Sequence, residues 1–140
     1  MDDGGLVGNS GFEVFTGRAV ATPHPPLYAT FQKRGLLTLN RAAFQALGEP
    51  EAVELLFNRY TKSVGIRPTG LGHNWSYKLR REERSGMFKL SVAAFRRHYG
   101  LPDVTVAMRY RATLQGDMLA IDLNQEPVIT GRDPNADVAF

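Results

Sequence analysis

The stretches GLLTLNRAAFQALG (residues 35–48) and GMFKLSVAAFRRHYG (residues 86–100) decide how this chain is read, because one can be laid over the other. At an offset of 51, Gly35 falls on Gly86, Leu39 on Leu90, and Ala42, Ala43 and Phe44 on Ala93, Ala94 and Phe95. Self-similarity at a fixed spacing marks an internal repeat, so one physical reading must serve both copies. Carried forward, the same offset sets Val53, Leu55 and Phe57 against Val104, Val106 and Met108, and Gly65 against Gly116. A local slip at the helix end makes Gly48-Glu49-Pro50 answer Gly100-Leu101-Pro102 at 52.

Within each copy, Leu37 and Leu39, like Phe88 and Leu90, alternate with Thr38 and Lys89. That period of two predicts a half-buried strand. Asn40 and Ser91 then stand where a side-chain oxygen can accept from a free amide of a first helical turn. The spacing of Ala43, Phe44 and Leu47, matched by Ala94, Phe95 and Tyr99, predicts a short helix with one apolar face. Gly48 and Gly100 supply the left-handed residue that ends it.

PEAVELLFNRY, from Pro50, would suit a helix taken alone, because Pro50 fits a first helical position and Glu51 and Glu54 favour its dipole. Its counterpart PDVTVAMRYRATL, from Pro102, alternates as a strand. Two copies should share one structure, so Val53–Phe57 and Val104–Met108 are both expected as strands, with Val53, Leu55 and Phe57 inward. Hairpin turns are expected near residues 58–62 and 115–117, with return strands over 63–67 and 118–123. A further strand is expected ahead of each unit, at Tyr28–Phe31 and at Trp75–Leu79. Residues 69–74 read as a linker, and Phe12–Thr22 as an additional edge strand.

The 140-residue length suits one domain of two repeats (28–68 and 75–123) within residues 12–123. Residues 1–11 and the acidic stretch 124–140 read as flexible ends. The chain has no cysteine, which excludes disulfides, thiol catalysis and zinc–cysteine sites. Apolar runs are short and the N-terminus carries acids where a signal peptide needs bases, so a cytoplasmic protein with no membrane partner is expected. The net charge of +3 is unevenly spread: residues 78–111 hold nine bases and three acids, whereas residues 112–140 hold one base and five acids. A basic middle of this kind can be a footprint for phosphates.

The pattern resembles the AbrB-like swapped-hairpin family of transcription regulators and antitoxins (AbrB, MazE and SpoVT types). The resemblance rests on FQKRGLLTLNRAAFQALG followed by AVELLFNRYTKSVGIRP, spanning Phe31–Pro68, and more loosely on the second copy through Leu123. It implies a mainly β fold with two short helices (α+β), a pseudo-two-fold β-barrel of the swapped-hairpin type that one chain builds from tandem repeats. A monomer with internal symmetry and a homodimer both stay open. Family members usually carry Arg after the strand-joining Gly, where this chain has Leu36 and Met87. They often have Pro at the helix start, where it has Asn40 and Ser91.

Double-stranded DNA is the partner that the resemblance implies. The residues that could carry it are Lys33, Arg34, Arg80, Arg81, Arg84, Lys89, Arg96 and Arg97, mostly as phosphate contacts that position rather than specify. A protein-interaction module, a scaffold or accessory factor with a protein partner, is the alternative. Catalysis is not expected. His24, His73 and His98 lack the spacing of a metal pair, Glu82-Glu83 would point to opposite sides of a strand, and no phosphate-loop or nucleophile motif occurs. No cofactor and no metal is therefore expected.

Overall fold

A computed structural model describes residues 11–12 and 25–129; apart from Phe12, the expected edge strand Phe12–Thr22 lies outside them. The elements run β1 (Leu27–Gln32), a 3-10 turn (Lys33–Gly35), β2 (Leu36–Leu39), α1 (Arg41–Ala46), β3 (Ala52–Asn58) and β4 (Ser63–Thr69). They continue with β5 (Tyr77–Lys78), β6 (Arg80–Arg81), β7 (Phe88–Ser91), α2 (Ala93–His98), β8 (Met108–Gln115), β9 (Met118–Asp122) and β10 (Val128–Ile129). The fold is mainly β with two short helices, as expected, and the alternation at Leu37–Leu39 and Phe88–Leu90 falls in β2 and β7.

The strands follow one another in the order β5-β3-β4-β9-β8-β1-β2-β7-β6, with β10 beside β8, and each adjacent pair is antiparallel. The two edges of this row belong to one short segment, since only Leu79 separates β5 from β6. The Leu79 amide donates to the Glu51 carbonyl at 3.0 Å and its side chain is buried. The sheet therefore curls into a nearly closed barrel, which leaves few open strand edges to pair with other chains.

Side chains of period two fill the interior. Leu37, Leu39, Val53, Val64, Ile66, Leu119 and Ile121 are each at most 1% exposed, so nearly all of their apolar surface is withdrawn from water. Both helices add to this core, α1 through Ala43 with Leu47 just after it, α2 through Phe95 with Val92 just ahead of it. Phe44 stacks on Phe88 at 3.6 Å, and Phe57 meets Phe95 edge-on at 6.2 Å. Leu55 and Phe57 are half-buried against the core, in line with the inward face expected for β3.

Several expectations need correction. Val104 and Val106 are not in a strand: residues 101–107 are irregular and β8 begins only at Met108. β1 selects that register, pairing Leu27 with Ala112 and Phe31 with Met108, and this long-range ladder overrides the local alternation. Gly65 and Gly116 are not counterparts either. Gly65 lies inside β4, with the Met118 sulfur 2.5 Å from where a Cβ would stand, whereas Gly116 turns the β8–β9 hairpin at φ +64°. Trp75 lies in a turn, 74% exposed, and strand structure starts only at Tyr77.

The two helix starts also differ. Asn40 caps α1 as expected, its Oδ1 accepting from the Ala43 amide at 3.0 Å and from the Tyr28 amide at 3.1 Å. Ser91 instead ends β7, and α2 starts after Val92 with no side-chain cap. The shift turns Ala94 outward and leaves Phe95 buried. After β9, residues 124–129 run along β8: the Gln125 amide exchanges hydrogen bonds with the Arg111 backbone at 3.2 and 2.8 Å, and Ile129 pairs with Met108.

Candidate functional site

The short β2–β7 ladder organises the basic residues. Leu36 pairs with Ser91 and Leu39 with Phe88, so the ladder holds four pairs and spans about 10 Å. At its Leu36 end, the turn from β1 to β2 holds Lys33 and Arg34, both exposed. Arg34 and Gly35 take left-handed backbone angles, φ +69° and +70°. Gly35 sits against Ala93, leaving no room for a Cβ, and its carbonyl accepts from the Val92 amide at 2.7 Å. The turn is thereby docked on the start of α2. Arg96 and Arg97 lie three and four residues after Ala93 along that helix, the spacing of neighbours on a helix surface.

Arg80, Arg81 and Arg84 sit on the β6–β7 hairpin at the Phe88 end, all exposed. Its turn is closed by backbone bonds from Glu82 to Met87 and from Gly86 to Glu82, each 2.7 Å, and by Ser85 donating to the Glu82 carboxylate at 2.8 Å. Lys89 pairs across the sheet with Arg80 on one side and Thr38 on the other. It also approaches Glu82 at 3.9 Å, an exposed pair of small energetic weight. The eight bases thus form two groups: Lys33, Arg34, Arg96 and Arg97 gather at one end of the ladder, and Arg81 and Arg84 at the other, with Arg80 and Lys89 between.

Arg96 departs from the rest. Its side chain is only 20% exposed, its Nη1 donates to the Leu101 carbonyl at 3.3 Å, and its Nε lies 3.8 Å from Asp103. The Nε is buried and makes no hydrogen bond. This guanidinium faces a cleft of about 420 Å³ that sequence reasoning missed, between α2, the irregular residues after it and the β3–β4 turn. Phe57, Phe95 and Tyr99 wall the cleft, and Arg59 and Lys62 reach it from the turn. The Arg59 guanidinium lies 4.9 Å from the centre of the Tyr99 ring. Tyr110 lines the same cleft, and burial pushes its phenol above the ordinary value of 10.0. The one available signal was the spacing of Arg59 and Lys62 in a turn beside an aromatic strand end; the aromatics themselves read as core.

His73 and His98 are exposed, and His24 lies outside the described residues. Among the described residues no group of three or more His, Asp or Glu side chains could hold a metal ion. Asp117 lies in the β8–β9 turn, and Asp122, the last residue of β9, accepts from the Asn124 amide at 2.8 Å. Of the described residues, no helix is long and apolar enough to cross a membrane. No family model matches this chain, and neither the curated proteins nor the solved structures contain a match to it.

Proposed function

We propose that this protein is a non-enzymatic, DNA-binding transcription regulator, antitoxin-like in kind, on a swapped-hairpin barrel of the AbrB-like type made from two tandem repeats. The register supports the tandem reading. In the β2–β7 ladder Leu37 faces Leu90 and Leu39 faces Phe88, and exchanging the halves at an offset of 51 turns one pair into the other. A pseudo-two-fold axis would then pass through Thr38 and Lys89. The exchange of partners supports the swapped reading: β1 of the first half pairs with β8 of the second, while β5 of the second pairs with β3 of the first.

The observation that carries the function is the placement of Arg34 and Arg84. Each is an exposed base in the turn ahead of its ladder strand, one at either end of the β2–β7 ladder, with Arg80 and Lys89 between them. A stripe of cations along a rigid ladder neutralises successive phosphates of a duplex and releases their counterions. Lys33 and Arg97 extend the stripe; Arg81, opposite Phe88, takes the other face of β6 from Arg80, and Arg96 belongs to the cleft.

The test is binding to random duplex DNA and to the promoter of the protein's own gene over a salt series, with Arg34→Ala, Arg84→Ala and Arg97→Ala combined in a second protein. Each lost phosphate contact reduces the slope of log affinity against log salt by about 0.9, so the triple variant loses roughly 2.7. Absence of binding at low salt, or a slope that the triple variant leaves intact, refutes the proposal. The alternative, a protein-interaction module, draws on Leu71 in the linker and Trp75 in the turn just after it, 49% and 74% exposed. A salt-insensitive protein partner lost on replacing Trp75 by Ala would favour it.

A further inference from the structure

We infer that the cleft between α2 and the β3–β4 turn is a binding site for a small aromatic anion, a planar ring system bearing one carboxylate or phosphate. This goes beyond DNA binding and does not rest on it, because Arg59 and Lys62 are outside the stripe of bases at the β2–β7 ladder.

Three observations converge on that ligand class. The first is size: about 420 Å³ lies within the range of roughly 300–1,000 Å³ typical of small-molecule sites. The second is the wall. Phe57, Phe95 and Tyr99 form a cluster with ring centroids 4.8 to 6.2 Å apart, which offers a guest ring both stacked and edge-on partners. The third is charge. Arg59, Lys62 and Arg96 line the cleft against the single carboxylate of Asp103, a balance of +2 in a largely aromatic setting. An anion gains there what it loses in hydration, provided donors meet it.

Arg96 supplies a charge held in place. One arm of its guanidinium is held by the Leu101 carbonyl, and the buried Nε has no hydrogen-bond partner at all, although Asp103 stands 3.8 Å away. The part of the Arg96 guanidinium that remains exposed would face the ligand's anionic group with its charge, while Arg59, poised over Tyr99, would close on the ligand's ring as a cation over a π face. A neutral aromatic would leave the cations unanswered, and an inorganic anion would leave the wall unfilled. The chemistry shared by an aromatic acid and a mononucleotide is therefore what fits.

The experiment is an NMR and calorimetric titration of the full chain with 2-naphthoate and, separately, with adenosine monophosphate. Two controls run in parallel: 2-naphthylmethanol, which keeps the rings without the charge, and inorganic phosphate, which keeps the charge without the rings. Saturable one-to-one binding of at least one aromatic anion is expected, with shifts centred on Phe57, Phe95 and Tyr99. The neutral alcohol should bind at least about tenfold more weakly. Tighter binding of adenosine monophosphate identifies a nucleotide as the natural class, and tighter binding of 2-naphthoate an aromatic acid. Arg59→Gln, an exposed turn substitution that spares the core, should weaken binding several-fold, and Arg96→Gln roughly tenfold, since it removes a half-buried charge facing the anion. Failure of both anions to saturate by about 5 mM, shifts scattered away from the cleft, equal affinity for the alcohol, or full affinity in both variants overturns the inference.

Discussion

Gly35 and Gly86 stand at corresponding positions ahead of β2 and β7, with φ of +70° and +73°, yet their surroundings differ. An alanine Cβ at Gly86 would meet nothing within 4 Å, so its only penalty is the left-handed backbone, about 1–2 kcal/mol. At Gly35 the added Cβ would stand 2.7 Å from the Ala93 Cβ and 2.9 Å from its Cα, and a backbone atom cannot rotate away. The start of α2 must shift, which strains the 2.7 Å bond from the Val92 amide to the Gly35 carbonyl. Overpacking of this kind adds about 1–3 kcal/mol. Gly35→Ala should then cost about 2–5 kcal/mol and Gly86→Ala about 1–2, and in a chain of this size each kcal/mol lowers the melting midpoint by roughly 3–5 °C. Urea and thermal unfolding of the two variants measure the difference directly. Equal losses would refute the packing of the β1–β2 turn on α2, and with it the position assigned to Lys33, Arg34 and Arg96.

Asn40→Ala removes the acceptor shared by the Ala43 and Tyr28 amides and the 2.9 Å bond to the Pro26 carbonyl, so a loss of about 1–2 kcal/mol is expected in urea unfolding. Ser91→Ala, which removes no cap, should stay within about 0.5 kcal/mol; equal costs would refute the difference between the helix starts. Burial raises the Tyr110 phenol, so the unfolded chain ionises near the ordinary 10.0 while the folded chain still holds its proton. The resulting contribution to stability is full below that value and is lost as pH rises toward the folded one. Tyr110→Phe should therefore show a shallower fall in melting temperature above about pH 10 than the parent, and parallel falls would argue against burial of this hydroxyl.

What could be read locally was read well. Alternation placed β2 and β7, because a strand writes its two faces into successive residues, and the hairpin turns placed the return strands. β3 was expected only from the second copy, whose own Val104 and Val106 are not in a strand. Asn40 announced its helix, since capping is decided within a few residues. Gly48 and Gly100, at φ +87° and +68°, ended theirs in the left-handed conformation that the sequence predicted. The cleft was not legible in the same way. Phe57 comes from β3, far in the chain from Phe95 and Tyr99 on α2 and its C-terminal cap, and an aromatic that lines a cavity has the same local pattern as one that fills a core.

By itself, then, the sequence determined the kind and rough position of most elements, the hairpin turns and the basic middle of the chain. The tertiary structure decided where β8 begins and its register: the alternation at Val104 and Val106, ahead of the strand, gave way to pairing of Met108–Ala112 with β1. It also decided how the barrel closes through Leu79, the division of the bases between the ends of the β2–β7 ladder, and the meeting of Arg59, Lys62 and Arg96 at one cleft. The physical reason is range: capping, turns and pleat alternation are settled between residues a few apart, whereas strand register and cavities depend on which distant surfaces exclude water together.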